Sequence, residues 1–257
     1  MQPAIHMPVP QRAIRPVFPA ALRGAPLAEA PLPAEAVTGA DLLLLRGCTQ
    51  RRRVRRGEYL YRGGADFQTL YVIRAGAFKT VLLTEDGREQ VTGFHMVGEV
   101  LGLDAIGSDV YAGDAVALED SDVAEIPFTA LEERAARDPA LQRELWRMLA
   151  AEIQRERTLM VLLGSMRAEE RLAAFLLNLS QRMAARGFSA SRFVLRMTRE
   201  EIGSLLGLKL ETVSRLLSRF QSEGLIRVRH REVEIQAMQA LRSVIGRVES
   251  RRERVAH

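Results

Sequence analysis

The sequence predicts an α+β protein built from an antiparallel β-roll, a long helix and a C-terminal winged helix-turn-helix. Three observations support this fold class. Short apolar runs separated by glycine turns fill residues 54–127, a long helical pattern starts at Pro139, and residues 198–224 carry helix-turn-helix spacing. The predicted boundaries are 1–37 for a Pro-rich tail, 38–137 for the roll, 138–165 for the long helix, 166–240 for the C-terminal domain and 241–257 for a helical tail.

The composition is that of a soluble globular protein. The chain has 257 residues, of which 47% are hydrophobic and 27% charged, so we expect one or two domains. No apolar run approaches the ~18 residues of a membrane helix, and the N-terminus lacks the apolar core of a secretory signal. A single cysteine excludes an internal disulfide. Together these features predict a cytoplasmic protein without a membrane partner.

The charge distribution indicates double-stranded DNA as a partner. Of the net charge of +5, residues 166–257 carry +8, whereas residues 41–137 carry −4. The basic excess therefore coincides with the helix-turn-helix pattern. Residues 1–37 contain eight of the ten prolines and little apolar periodicity, which predicts a disordered tail.

Turn signals define the predicted roll. The pair Asp86-Gly87 lies between two apolar runs and is a strong hairpin signal. Further glycines recur at short intervals through residues 93–107. Many short strands with regular turns indicate a rolled antiparallel sheet rather than a βαβ unit.

Residues 198–224 carry each position that a helix-turn-helix requires. Thr198 and Glu201 form a capping box, so the first helix begins there. Gly207 ends it in a tight turn, and Gly203 leaves room for a second helix to cross closely. The buried face of that second helix consists of Val213, Leu216, Leu217 and Phe220.

The other face of the second helix is suited to DNA. Glu211, Ser214 and Arg215 share one side and are predicted to contact bases, since Arg pairs with guanine and Glu accepts from cytosine. The alternative is a solvated face with an intrahelical Glu211–Arg215 pair. Residues 225–235 suggest a two-stranded wing with a basic tip. The predicted contacts to the DNA backbone are Lys209, Ser218, Arg219 and Arg229.

The long helix carries a heptad pattern that predicts a homodimer. Its expected exposed polar side consists of Arg143, Arg147, Glu152, Arg155 and Arg157. Glu156 would face its own copy in a parallel dimer and weaken it, unless the helices rotate and release the carboxylate to solvent. The predicted dimer seam is Trp146, Leu149, Ile153, Glu156, Met160 and Leu163.

Four long stretches, residues 70–80, 89–108, 168–189 and 197–224, resemble the CRP/FNR family of bacterial transcription regulators, and its FNR branch in particular. The resemblance implies a cyclic-nucleotide-binding-like roll and no enzymatic activity. It also implies a homodimer on an inverted repeat with TTGAT-like half-sites, and contact with RNA polymerase to activate or repress transcription. The family's base-reading motif falls on Glu211, Ser214 and Arg215.

Two departures from the family pattern argue against its known cofactors. The FNR branch holds an iron-sulfur cluster with four cysteines, but this chain has only Cys48, and Ala124 stands where the internal ligand would be. The cyclic-AMP branch needs an Arg after its Gly-Glu-Leu turn. Gly98, Glu99 and Val100 partly match that turn, yet residues 89–133 contain no Arg. No cofactor is therefore predicted.

A sensor of the same architecture remains an alternative. Cys48 lies near Arg46 and Arg51, which could lower its thiol pKa and make it redox-active, although a lone cysteine is usually inert. His95 could bind haem, although a single His after Phe94 is more often a packed or surface residue. The sequence shows no metal-binding spacing, P-loop or catalytic motif.

Overall fold

The computed structural model describes residues 50–246. Cys48, the predicted tail at residues 1–37 and most of the predicted tail at residues 241–257 lie outside the described residues. The predicted roll, long helix and winged helix-turn-helix follow one another in the expected order.

Eight strands form the roll as two four-stranded antiparallel sheets, in the orders β1-β8-β3-β6 and β2-β7-β4-β5. A 3-10 turn at Leu103–Ala105 follows β6. The strands are β1 Gln50–Val54, β2 Tyr59–Tyr61, β3 Thr69–Ala75, β4 Ala77–Leu83, β5 Glu89–Met96, β6 Val100–Leu101, β7 Asp114–Ala117 and β8 Ser121–Pro127.

The predicted hairpin joins β4 to β5. Leu83 pairs with Glu89, and Gly87 adopts a φ of 78°, a left-handed conformation that glycine enters without steric cost. The space between the two sheets is filled by apolar side chains. Tyr61 and Tyr111 stack there with ring centroids 4.0 Å apart, beside the fully buried Phe78. The roll interior is therefore a packed aromatic core.

Helices dominate the rest of the described chain. The long helix starts where Asp138 accepts hydrogen bonds from the amides of Ala140 and Leu141, with Pro139 at its first position. The last helix begins at Met238, slightly before the predicted 241, and buries Leu241. The helices are α1 Phe128–Ala135, α2 Pro139–Ser165, α3 Ala168–Ala185, α4 Arg199–Leu206, α5 Leu210–Ser222 and α6 Met238–Gly246.

The wing has three strands rather than the two predicted. β10 (Ile226–Arg229) pairs with β11 (Glu232–Ile235), which also pairs with β9 (Arg192–Val194). β9 is only three residues long, too short for an alternating pattern to be visible in sequence. The third strand ties the wing to the segment that follows α3.

The C-terminal domain, residues 168–246, packs directly on the roll. Its core is continuous with apolar side chains on the outer face of the β2-β7-β4-β5 sheet. Phe94 of β5 contacts Phe175 of α3 edge-on, with ring centroids 6.1 Å apart. The two domains therefore share one hydrophobic core.

Candidate nucleic-acid interface

The turn between α4 and α5 is built as its glycines and cap predict. Thr198 and Glu201 form the reciprocal capping box, and Gly207 ends α4 with a φ of 63°. A Cβ at Gly203 would collide with the carbonyl oxygen of Leu208, so only glycine permits this crossing. The local geometry therefore confirms the predicted helix-turn-helix.

Arg171 of α3 stabilises this turn, and sequence reasoning missed it. Its guanidinium donates to the carbonyl oxygens of Leu206 at 3.0 Å, Leu163 at 2.8 Å and Met166 at 2.9 Å. Terminal carbonyls of α2 and α4 thereby gain partners that their own helices cannot supply. An Arg five residues after Met166 gives no sequence signal for a contact to Leu206.

The predicted base-contacting side of α5 is open to solvent. Val213 and Phe220 are fully buried on the opposite side, whereas Glu211 and Arg215 are exposed and Ser214 is half-buried. Within residues 50–246, neither Glu211 nor Arg215 forms an ion pair. The intrahelical pair considered as an alternative is therefore not formed in this structure, and both side chains are free to meet a ligand.

Two other polar residues of α5 already have protein partners. Ser214 Oγ accepts a hydrogen bond at 3.2 Å from Arg199, the first residue of α4. Arg219 pairs with Glu169 of α3 and, at 3.1 Å, with Glu223. Arg219 thus ties α5 to α3, and a phosphate at this position would compete with two carboxylates.

The remaining predicted backbone contacts lie at the edges of this face. Lys209 is exposed at the N-cap of α5, and Ser218 is exposed about two and a half turns further along, where its hydroxyl donates to the carbonyl oxygen of Ser214. Arg229 is exposed at the end of β10 and makes no ion pair within the described part of the chain. Lys209 and Arg229 are therefore exposed cations that form no ion pair within residues 50–246.

The predicted seam forms an apolar stripe along α2. Trp146, Ile153 and Met160, each seven residues apart, expose 62%, 49% and 71% of their surface. Leu149 and Leu163 are half-buried and pack partly against the roll and the C-terminal domain, respectively. Three large apolar side chains in one row are unusual on a solvated helix.

The prediction that the polar side of α2 is exposed to solvent is wrong for two of its residues. Glu152 and Arg155 pair with each other and turn toward the roll, where Arg155 acts electrostatically on Glu99 and His95. Burial raises the pKa of Glu152, and Arg155 only partly offsets this. Periodicity identified α2 as amphipathic but could not show that charged residues cover part of the roll. Arg155 is consequently not placed to neutralise Glu156, which is exposed.

His95 is packed in the protein interior, which agrees with the interpretation of this single histidine as a packed residue. It is 7% exposed, its Nε2 lies 3.2 Å from Thr80 Oγ1, and its Nδ1 lies 3.8 Å from the Glu99 carboxylate. Burial lowers the pKa of His95 from 6.5 to about 3, and Glu99 only partly opposes that shift. The ring is therefore neutral at physiological pH.

This buried neutral histidine predicts acid sensitivity. Between about pH 6.5 and pH 3 the unfolded chain binds a proton on His95 that the folded chain does not. The free energy of unfolding should therefore fall by about 2 kcal/mol from pH 7 to pH 5. Urea denaturation at both pH values measures this, and His95→Gln should remove that part of the loss.

His230→Gln is the matched control because it removes an exposed histidine from the tip of the wing. A His95→Gln variant that loses as much stability between the two pH values as the parent would contradict the prediction.

The residues present do not fit a four-cysteine iron-sulfur cluster. Ala124, at the place of the internal ligand, is fully buried on β8, and its methyl group cannot ligate iron. The whole sequence supplies one thiol, Cys48, which lies outside the described residues.

Comparison with known proteins agrees with this architecture. A family model described as a cyclic nucleotide-binding domain matches residues 51–138, and one described as a Crp-like helix-turn-helix domain matches residues 170–244. The transcriptional regulatory protein btr of Bordetella pertussis is 46% identical over 215 residues, which cover 84% of this chain and 87% of the relative. The chain belongs to the CRP/FNR family.

Other family members match over similar lengths. The fumarate and nitrate reduction regulatory protein of Escherichia coli K12 is 43% identical over 197 residues, covering 77% of this chain and 79% of that protein. The structure of FixK2 from Bradyrhizobium japonicum superposes with a TM-score of 0.71 at 33% identity, covering 76% of this chain and 96% of that one.

Family membership confirms the predicted fold class. It also confirms that this chain is a transcription regulator with a DNA-binding helix-turn-helix and not an enzyme. Within residues 50–246, no helix is both long enough and apolar enough to cross a membrane.

Proposed function

We propose that this family member binds, as a homodimer, an inverted DNA repeat with TTGAT-like half-sites and regulates transcription through contact with RNA polymerase. The observation that carries the proposal is the open face of α5. Glu211 and Arg215 stand there exposed and unpaired within the described residues, beside Ser214. Their donors and acceptors match those of base edges in the major groove.

The apolar stripe on α2 supports the homodimer. Trp146, Ile153 and Met160 recur at heptad spacing and are uncovered by their own chain. A second copy of α2 packed against the stripe would bury them as a coiled-coil seam. Two recognition helices related by the same two-fold axis would then suit an inverted repeat.

We further propose that DNA binding needs no iron-sulfur cluster and no cyclic AMP. One cysteine cannot supply four thiolates. Residues 89–133 contain no Arg to pair with a cyclic phosphate. On this proposal the protein is active as it is made, and its supply or its dimer equilibrium sets the response.

The test is a fluorescence anisotropy titration of the purified chain, in air and without added ligand. The DNA is a TTGAT-type inverted repeat or a scrambled duplex, at one salt concentration, because counterion release would otherwise mask specificity. Strong preference for the repeat supports the proposal. Equal binding to both duplexes would overturn the proposal. Either the TTGAT-like half-site would then be wrong, or DNA binding would need an effector.

Glu156 is expected to weaken the dimer. In a parallel seam its carboxylate faces the same carboxylate of the second copy, and Arg155 is held by Glu152. Glu156→Ala should therefore lower the dimer dissociation constant roughly tenfold, the effect of removing one like-charge contact near a protein surface. Sedimentation equilibrium measures this constant.

Glu133→Ala, which removes one exposed carboxylate from α1, controls for net charge. Unchanged association of the Glu156→Ala chain would mean that Glu156 rotates out of the seam into solvent.

A further inference from the structure

A buried ion cluster joins the roll to the C-terminal domain. Glu99, in the turn between β5 and β6, is 3% exposed. Its carboxylate accepts from Arg182 Nε at 3.1 Å and Nη2 at 2.7 Å, and from Arg186 Nη2 at 2.5 Å. The backbone amide of Met96 donates to it as well, at 3.3 Å. Both oxygens of the carboxylate are therefore engaged.

The same two arginines also hold the main chain of the roll. Arg182 Nη2 donates to the carbonyl oxygen of Phe94 at 2.7 Å, and Arg186 Nε donates to that of Val97 at 2.6 Å. Arg186 Nη1 donates in addition to the carbonyl oxygen of Arg182 at 2.7 Å. Arg182 of α3 and Arg186 at its C-cap are thus bound to Phe94 of β5 and to Val97 and Glu99 of the β5–β6 connection.

The Glu99 carboxylate is ionised at physiological pH. Burial alone would raise the pKa of Glu99, but Arg182, Arg155 and Arg186 outweigh it and hold that pKa at about 2. A carboxylate so deeply buried is stable only while its cations stay in place. Separation of the two domains would leave buried charges without a partner on both the roll and the C-terminal domain.

A second set of contacts lies close to the DNA-binding surface. Lys79 of β4 pairs with Glu201 of α4 at 2.9 Å. The amide of Val91 donates to Ser204 Oγ at 2.9 Å, and the Gln90 side chain donates to the carbonyl oxygen of Ser204. The first helix of the helix-turn-helix therefore lies on β5, and α5 follows it after one tight turn.

These contacts give the recognition helix two attachments to α2. One is direct: it consists of the short joint at residues 166–167 between α2 and α3, the packing of Leu163 on the C-terminal domain, and Arg171, which donates to the carbonyl oxygens of both Leu163 and Leu206. The other runs through the roll, which packs on α2 by way of Leu149 and reaches α3 through Glu99. The direct attachment acts only at the C-terminal end of α2, whereas the two attachments together hold the C-terminal domain at two separate places and fix its orientation.

We infer that Glu99, Arg182 and Arg186 are positioning residues that fix the recognition helix relative to the α2 seam and so set the half-site spacing that the dimer accepts. The inference rests on the proposed binding of a homodimer to an inverted repeat. The three residues contact no DNA in this role. They act through the orientation of α5.

The turn that corresponds to the Gly-Glu-Leu turn of the cyclic-AMP branch binds arginine side chains of its own chain in this protein. Gly98, Glu99 and Val100 partly resemble that turn, but the Glu99 carboxylate is occupied by arginines of the same chain. An effector that used this carboxylate would have to displace Arg182 or Arg186. The cluster thus supplies from within the protein an orientation that needs no bound ligand.

The test measures spacing preference with the full-length chain. Anisotropy titrations use the inverted repeat at its parent spacing and with one base pair added or removed, for the parent chain and for Glu99→Gln. The ratio of the affinities for the parent and altered spacings is the readout. We expect Glu99→Gln to lower this ratio roughly tenfold, since removing one partner of a buried ion pair leaves uncompensated charge.

A merely structural role would not change this ratio, because a smaller folded fraction lowers the affinity for all three duplexes by the same factor. Glu119→Gln is the matched control. Glu119 of the roll pairs with Arg196 of the C-terminal domain at 2.8 Å, but both side chains are solvent-accessible, so the ratio should stay within about twofold. Arg186→Lys, which keeps the charge but loses the paired donors, is the second variant if Glu99→Gln does not fold.

The outcomes separate the inference from the function on which it rests. A parent chain that binds all three spacings equally overturns the proposed two-site binding, and the inference with it. A parent chain with a clear preference that Glu99→Gln and Arg186→Lys both retain overturns the inference alone. A reduced ratio in either variant, with Glu119→Gln unchanged, supports it.

Discussion

Arg215→Ala is expected to abolish the preference of this regulator for the proposed inverted repeat. Arg215 is exposed on α5, unpaired within residues 50–246, and capable of a bidentate contact with guanine. Such a contact contributes about 1–3 kcal/mol of discrimination, and the proposed dimer would make it twice, so the expected loss is roughly 2–6 kcal/mol. Competition titrations with the repeat and a scrambled duplex at fixed salt measure the ratio directly.

Lys209→Ala is the informative comparison for Arg215→Ala. Lys209 is exposed at the start of α5, where a cation suits phosphate rather than a base edge. Its loss should weaken binding to both duplexes by a similar factor and reduce the salt dependence by about one unit per site. If Arg215→Ala instead behaved like Lys209→Ala, Arg215 would be a phosphate contact and base recognition would rest on other residues.

The helix-turn-helix could be predicted from sequence because its determinants are local. The Thr198–Glu201 capping box and the left-handed Gly207 each act over a few residues, and so leave a readable pattern. The contacts that support the turn are not local. Arg171 reaches Leu206 and Arg219 reaches Glu169, across 35 and 50 positions of sequence. No spacing rule connects such pairs before the fold is known.

The long helix also shows which features sequence periodicity can predict and which it cannot. Heptad periodicity located α2 and the apolar positions along it, since both follow from helical geometry. It could not assign Glu152 and Arg155 to the roll, because a charged stripe has the same pattern whether it meets water or a polar surface. The ion cluster at Glu99 was missed for a related reason: Arg182 lies at a polar position of an amphipathic helix and Arg186 at its C-cap, where solvent exposure is the usual expectation.

Ile153→Asp should dissociate the proposed dimer. Ile153 lies at the centre of the exposed row on α2, midway between Trp146 and Met160. In a two-fold seam each copy would lose one buried isoleucine, about 1.5–3 kcal/mol apiece, so the dimer would lose roughly 3–6 kcal/mol before any charge repulsion. The dissociation constant should rise by about two to four orders of magnitude, as sedimentation equilibrium can measure.

Gln154→Asp introduces the same charge at the neighbouring exposed position, off the seam, and should leave association unchanged. The pair of variants also separates dimerisation from DNA recognition. An Ile153→Asp monomer keeps α5 and its exposed face intact, so it should lose the affinity gained from two linked half-sites but retain weak binding to a single half-site. Undiminished association of Ile153→Asp would instead place the dimer interface elsewhere, and the apolar row on α2 would need another partner.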